Sequence, residues 1–388
     1  MAIRKIYDVA VVGAGPVGLM VAKLLAEQGY QVVLLEKKRA IGENVVCAGI
    51  VGTEVIQRFD LPRELVITDV REATLLSPAG RTISYAQTEP FAHVIDRQKL
   101  EYFLLQASVK HNAEVRLGCN VANIEIGKNF ATLTTNQNMD EPDSKIRAKI
   151  VVLATGVEVE LCKKLGLGYP RSFLNTAQKL LLGDSYGRIT VLTGSKISKG
   201  GFGWIVPYGQ SLIKVGLMTS GSVGDKFLNL REKVSGKELS PLLSKRIPQG
   251  LVSKTFRERV VSVGGCAGQI KTTTGGGIYF GFICSHIASE VVSEALKRGV
   301  WDSSVLSKYE QRWKDKIGNE IKIGLYLRRI WSSLTNEQIE KLFTLIRNDG
   351  IFDLISGHLH FDWHVSFLFS FIRRPDVGSV LSLLRKKF

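Results

Sequence analysis

Residues 8–36 read DVAVVGAGPVGLMVAKLLAEQGYQVVLLE, and this stretch decides the fold. Residues 8–12 are a short apolar run rich in valine, which reads as a buried strand. Gly13-Ala-Gly15-Pro-Val-Gly18 follows, and residues 17–28 then carry a helical pattern that Gly29 ends. Residues 31–35 make a second apolar strand, closed by Glu36. A strand, a G-x-G-x-x-G turn, a helix and a strand ending in an acid form a βαβ unit built for a dinucleotide. Gly13 permits the tight turn, Gly15 lets backbone approach a diphosphate, and Gly18 lets helix and strand pack closely. The helix N-terminus, with Pro16 and Val17 in its first turn, presents partial positive charge to the phosphates. Glu36 is placed to accept hydrogen bonds from the adenosine ribose, with Lys37 beside it. At this point a flavin and a nicotinamide dinucleotide fit equally well.

A second glycine-rich turn separates them. Residues 261–282 read VSVGGCAGQIKTTTGGGIYFGF: a strand, a small-residue turn, then Gly275-Gly-Gly277 leading into a long helix. Consecutive glycines before a helix gather several unshielded N–H groups at one spot. Such a spot stabilises delocalised negative charge, as on the N1–C2 oxygen edge of a reduced flavin.

Several motifs together resemble the geranylgeranyl reductase family, within the para-hydroxybenzoate-hydroxylase-like FAD oxidoreductases. The family pattern G-D-A-A-G-Q-x-K-P-T-T-G-G-G-I stands here as residues 264–278, GGCAGQIKTTTGGGI. Asp96-Arg97-Gln-Lys-Leu100 is similar to its D-R-x-x-L/F element and Cys47-Ala48-Gly49 to its Cys-x-Gly element. Gly201-Phe-Gly-Trp-Ile-Val-Pro207 is similar to G-x-G-W-x-x-P, Val215-Gly-Leu217 to the strand end that follows it, and Ala154-Thr155-Gly156 to the A-T-G turn of FAD domains. Two departures stand out. Gly265 takes the place of an Asp that holds a ribityl hydroxyl, and Thr272 takes the place of a proline, which predicts a less rigid loop.

The resemblance implies FAD as cofactor, with NAD(P)H or reduced ferredoxin as electron donor, and reduction of isolated C=C bonds in isoprenoid chains on lipids or prenyl diphosphates. It implies cofactor contacts at Gly13, Gly15, Pro16, Val17, Gly18, Glu36, Lys37, Cys47, Ala48, Arg97, Val121, Ala154, Thr155, Gly156, Gly264, Gly265, Gly268, Gly275, Gly276, Gly277 and Ile278. Trp204, Pro207 and Tyr208 are the candidate substrate wall. A proton must reach the carbon beside the one that takes the hydride, and Cys47 and Tyr279 are candidate sources, with Trp204 the third candidate catalytic residue. A flavin-dependent monooxygenase or halogenase on the same fold is the competing reading, although Phe202 stands where the first Trp of the halogenase W-x-W-x-I-P would be. A quinone-directed electron carrier and a non-catalytic lipid-binding relic are further readings.

The fold expected is α/β, α+β overall. A Rossmann-like FAD-binding domain is built from residues 1–60, 91–156 and 256–300. A substrate domain with an antiparallel sheet is inserted at 61–90 and 157–255, its strands anticipated in RITVLTG, FGWIVPYG and LIKVGLMT. A helical C-terminal extension covers 301–388, with a capping box at Thr335-Asn-Glu-Gln338.

Composition bounds the rest. The 388 residues are 45% hydrophobic and 23% charged, which excludes a disordered chain. The net charge of +16 suits an anionic partner, but no nucleic-acid-binding signature accompanies it. The five cysteines are scattered with no CxxC pair, so no metal is expected, and His358, His360 and His364 beside Asp362 lie in an otherwise aromatic and apolar stretch. No apolar run of spanning length occurs, and the N-terminus runs directly into a strand with no secretory signal. Residues 361–372, FDWHVSFLFSFI, precede a segment carrying five basic residues and one acidic from Arg373 onward. That pairing suits an interfacial contact. The expected location is the cytoplasm, peripherally associated with a membrane, beside an isoprenoid lipid substrate.

Overall fold

The computed structural model describes residues 5–137, 144–184, 187–348 and 361–363. The chain divides into two compact units. The first comprises residues 1–45, 97–172 and 248–321; the second comprises 46–96, 173–247 and 322–388.

In the first unit, Ile6–Val12 forms the central strand and runs parallel to Val32–Leu35 on one side and Ser144–Leu153 on the other. Glu114–Arg116 extends the sheet beyond Val32–Leu35, and Val260–Ser262 lies beyond Ser144–Leu153, both parallel. The buried stretches 9–12, 32–35 and 150–153 consist of Val, Ile, Leu and Ala because both faces are covered. Val9, Ala10, Val11, Val33, Val151 and Val152 are fully buried. The helices Pro16–Glu27, Arg97–Lys110 and Ile278–Arg298 pack together, the first against each of the others. Cys119–Ile126 and Ala131–Gln137 pair antiparallel, and the latter continues onto the polar half of Ser144–Leu153.

The second unit is built on a seven-strand path running 237–238, 172–182, 212–219, 202–207, 189–192, 72–76, 82–86, with 243–249 on the side of 172–182. Pairing is antiparallel at 172–182/212–219, 212–219/202–207 and 202–207/189–192, and parallel at 189–192/72–76. One face packs against helix Gly224–Arg231 through Ala177, Leu217, Phe227 and Leu230. The other carries Trp204, Val206 and Met218 against the small sheet 50–52, 92–95, 66–70.

The unit boundaries depart from those expected. Residues 46–60 and 91–96 fall in the second unit, because Ile50–Gly52 pairs with Ala92–Ile95, which also pairs with Val66–Val70. Residues 157–172 and 248–255 fall in the first. Leu161, Cys162, Leu165 and Leu167 fill its core, and the Gly168 N–H donates to the Lys254 carbonyl. The C-terminal helices are shared between units. Ser303–Trp313 belongs to the first, where the Trp313 indole N–H donates to Thr255 Oγ1. Arg328 and Trp331 belong to the second and donate to the carbonyls of Gly200 and Gly201. The capping box forms: the Thr335 N–H donates to Gln338 Oε1 at 3.0 Å, and the Gln338 N–H donates to Thr335 Oγ1 at 3.3 Å.

Candidate active site

In the first unit the G-x-G-x-x-G turn is a close-contact device. The Gly13 N–H donates to the Leu35 carbonyl at 2.8 Å, and Gly13 holds φ of +104°. A Cβ on Gly18 would lie 1.9 Å from the Gly13 carbonyl oxygen, so only glycine lets the helix start here. Gly15 is the N-cap and Pro16 opens the helix, with no side-chain cap and no acid in the first turn. The terminal N–H groups are thereby left for a ligand anion. Val17 packs against Gly264 and Gly281, so it positions the helix within the unit.

Glu36 ties the turn down. Its Oε2 accepts the Ala14 N–H at 2.7 Å and its Oε1 accepts the Lys38 N–H at 2.9 Å. Both oxygens retain lone pairs for ribose hydroxyls. Lys37 is exposed and pairs with Glu158 at 3.2 Å. Arg97 is buried at the start of its helix and pairs with Glu101 at 2.6 Å. Val121 is buried in Cys119–Ile126. The Ala154 N–H donates to the Val12 carbonyl, and Thr155 and Gly156 make the turn beyond it.

The loop 264–278 is held by contacts the motif alone does not reveal. The Gly264 N–H donates to Gln269 Oε1 at 2.7 Å, Gln269 Nε2 donates to the Tyr309 hydroxyl at 2.8 Å, and that hydroxyl donates to the Ser262 carbonyl at 2.9 Å. Gln269 and Tyr309 are fully buried. Gly268 takes the left-handed conformation that ends the 3₁₀ turn Gly264–Ala267. The expected looseness at Thr272 is not found: its Oγ1 donates to the Ile321 carbonyl at 3.0 Å, which anchors the loop where a proline would stiffen it. The Lys271 N–H donates to the Gly276 carbonyl and the Gly275 N–H donates to the Lys271 carbonyl, closing the glycine loop on itself. Gly277 is the N-cap of Ile278–Arg298, again without a side-chain cap or a first-turn acid. Tyr279 is 1% exposed and packs in the core.

Gly265 lies against the preceding turn. A Cβ there would come within 2.9 Å of the Gly156 carbonyl oxygen. Gly265→Asp is therefore expected to lower stability by about 1–3 kcal/mol through overpacking without tightening FAD. Thermal melting and an FAD titration check this, and a rise in both Tm and affinity would refute it.

The glycine cradles and two uncapped helix N-termini of the first unit fit FAD: a diphosphate at Gly15–Gly18 and an electron-rich ring edge at Gly275–Ile278.

The second unit gathers Cys47, Ala48, Trp204, Pro207 and Tyr208. Trp204, Val206 and Tyr208 share one face of their strand, and Ala48 and Tyr208 pack at the edge of the apolar cluster around Trp204. Trp204 lies opposite Gly216, where a Cβ would come within 2.5 Å of the indole Cζ2, so this glycine is what lets the ring lie flat across the neighbouring strand. Pro207 is buried at the strand end. Cys47 is half-buried, and its Sγ accepts the Gly49 N–H at 3.4 Å. Sequence reading missed Lys214. It is 8% exposed, its Nζ donates to the Cys47 carbonyl at 3.2 Å, and it stands 3.9 Å from the centre of the Tyr208 ring. Its place in LIKVGLMT gives the signal, since alternation puts it on the Trp204 face. Burial pushes the Tyr208 hydroxyl up to about 12, with the charges of Asp96 and Cys47 acting in the same direction.

His358, His360, His364 and the basic tail lie outside the described residues. Phe361 packs on the Trp204 cluster, and Asp362 Oδ2 accepts the Gly52 N–H at 3.1 Å. Among the described residues no helix is long and apolar enough to cross a membrane. All five cysteines are free thiols.

Residues 6–178 match the FAD binding domain family. The chain is 29% identical over 359 residues to digeranylgeranylglycerophospholipid reductase 1 of Methanococcoides burtonii, covering 88% of each. It is 28% identical over 361 residues to the digeranylgeranylglycerophospholipid reductase of Methanocaldococcus jannaschii, covering 88% of this chain and 90% of the other. Its fold matches the crystal structure of a geranylgeranyl bacteriochlorophyll reductase-like protein from Thermoplasma acidophilum with a TM-score of 0.86 at 20% identity, over 98% of this chain and 100% of the other. The glycine cradles, the whole-length fold and these likenesses agree with the family resemblance carried by the motifs, and the chain is an FAD-dependent oxidoreductase.

Proposed function

We propose that this chain saturates isolated double bonds in the isoprenoid chains of a membrane lipid or a prenyl diphosphate, as a step in lipid biosynthesis. The observation that carries the reading is its similarity, across 88% of its length, to proteins named as digeranylgeranylglycerophospholipid reductases. The mainly apolar surroundings of Trp204 support it, because a hydrocarbon chain needs a mainly apolar wall, here with Lys214 and Tyr208 at its polar edge.

FAD, when bound, supplies the hydride; the rest falls to the chain's own residues. Trp204 and the partly exposed Tyr208, at the edge of the buried cluster they share with Val206 and Met218, would orient an alkene and exclude water. The Tyr208 hydroxyl, held protonated well above neutrality beside Lys214 and Cys47, is the candidate proton source. Tyr279, closed in the core, is less well placed for that task. NAD(P)H or reduced ferredoxin is the proposed electron donor, and peripheral attachment to the membrane gives access to the substrate.

The test is anaerobic. Reduced protein is mixed with a geranylgeranyl lipid, and flavin absorbance and product mass are followed together. The expected result is flavin reoxidation with a gain of two hydrogens per double bond. Unchanged chains would overturn the reading, and oxygen in the product after admission of air would transfer the protein to the monooxygenase class. Tyr208→Phe is expected to slow product formation about 10²-fold while FAD content stays at the wild-type level. Turnover within twofold of wild type would remove Tyr208 from the proton path.

A further inference from the structure

Two buried polar atoms of the second unit have no hydrogen-bond partner among the described residues: the indole Nε1 of Trp204 and the side-chain Oε1 of Gln178. Trp204 is 8% exposed and Gln178 5%. Buried polar groups are nearly always paired, because each gives up its water on folding. The sheet register brings these two together. Gln178 stands opposite Gly216, and Gly216 stands opposite Trp204, so the three make one row across neighbouring antiparallel strands. Side chains in such a row share one face of the sheet. The middle position has no side chain, and the indole lies over it. A Cβ on Gly216 would come within 2.5 Å of Cζ2 and 2.6 Å of Cε2, the carbon bonded to the indole N–H. The N–H is thus held at the middle strand, between its own strand and the one that carries Gln178. Leu174, Val206 and Met218, buried in the cluster around Trp204, have no side-chain oxygen or nitrogen to offer either atom.

We propose that Gln178 and Trp204 form a subsite for one hydroxyl oxygen. The indole N–H only donates, and the amide oxygen only accepts. A single group that satisfies both must accept one hydrogen bond and donate another, as an alcohol or a water does. An ether or phosphodiester oxygen only accepts, and would leave Gln178 Oε1 unmet. This deepens the reading that the Trp204 face receives an isoprenoid, and it rests on that reading. The hydroxyl belongs to the alcohol or glycerol end of the ligand, or to an ordered water against which the chain packs. Four residues of extended backbone, about 13 Å, separate Trp204 from Tyr208. An oxygen fixed at Trp204 therefore sets which part of the chain lies at Tyr208.

The experiment uses purified holoprotein in detergent. Calorimetry compares geranylgeraniol with its methyl ether, which keeps the chain and the oxygen but cannot donate. The wild type is expected to bind the alcohol at least about tenfold more tightly, and Gln178→Leu to bind the two within about threefold of each other. Crystal structures of the wild type alone and with geranylgeraniol identify the source and need no variant to fold. The alcohol oxygen within about 3.2 Å of both Trp204 Nε1 and Gln178 Oε1 assigns the subsite to the ligand. A water in that position in both structures assigns it to an ordered solvent molecule. No oxygen bridging the two atoms in either structure overturns the subsite, and so does an alcohol preference that persists in Gln178→Leu. A bridged oxygen in protein that leaves every prenyl chain unsaturated in the anaerobic assay would sink the reductase reading and leave the subsite standing.

Discussion

Gly18→Ala is expected to yield protein that purifies without FAD and melts well below the wild type. The new Cβ would meet the Gly13 carbonyl oxygen at 1.9 Å and the Ala154 Cβ at 3.1 Å. Neither is the movable end of a side chain. Relief requires the helix Pro16–Glu27 to shift off the strand Ile6–Val12, which carries Gly15 away from the phosphate position and breaks the Ala14–Glu36 hydrogen bond. The cost combines overpacking of about 1–3 kcal/mol with loss of the ligand's own stabilisation. Flavin absorbance after gel filtration measures the first effect and calorimetry the second. Full FAD occupancy in Gly18→Ala would mean that the turn does not bind the diphosphate.

Arg259→Met should cost stability on a comparable scale while leaving the FAD spectrum unchanged in whatever protein folds. Arg259 is 2% exposed and sits in the tight turn between Phe256–Arg257 and Val260–Ser262 with φ of +61°. Its guanidinium donates to the carbonyls of Gly127, Lys128 and Lys149 and lies 4.9 Å from the centre of the Trp301 ring. One side chain thus satisfies carbonyls from two neighbouring segments at the end of the parallel sheet. Methionine would match the stem but give up all three hydrogen bonds, and a hydrogen bond to a charged group is worth about 1.5–3 kcal/mol, less where water can replace it, as at the exposed Gly127 and Lys128. A loss of about 3 kcal/mol or more in chemical denaturation is the expected result. A change under 0.5 kcal/mol would show that water replaces the guanidinium without penalty.

The nucleotide-binding turn was legible because its constraints are local. Gly18 meets the Gly13 carbonyl and Glu36 accepts the Ala14 N–H, both inside a single βαβ unit, and spacing along the chain maps directly onto that geometry. The helix Arg97–Lys110 and the strands Phe202–Pro207 and Leu212–Thr219 were legible from local composition, the first as a run of helix formers without Gly or Pro and the others as short, mainly apolar runs. The strand Ser172–Leu182 escaped notice. Its centre reads Asn-Thr-Ala-Gln-Lys, where Thr176 alone favours a strand, and pairing with Leu212–Thr219 makes it one. Residues 46–60 group with the second unit, and nothing in Cys47-Ala-Gly marks that boundary. The pairing of Ile50–Gly52 with Ala92–Ile95 decides it, and that partner is some forty residues away. Gln269, Tyr309 and Lys214 belong to the same class. Their roles arise from partners 40 to 167 residues distant, and no window of local sequence contains them.

Along the chain the central strand Ile6–Val12 is followed by its partner Ser144–Leu153 only after more than a hundred residues, and by Val260–Ser262 another hundred after that. At ribosomal speeds of about 5–20 residues per second, the valine-rich first strand waits on the order of ten seconds for one neighbour. The sheet cannot be completed until the 260s emerge. Through that interval one edge of an apolar strand is open to other nascent chains. The nucleotide-binding unit is therefore assembled late although its signature is encoded early. A lower expression level, which keeps nascent chains apart during that interval, should raise the yield of folded, flavin-loaded protein more than the addition of excess cofactor.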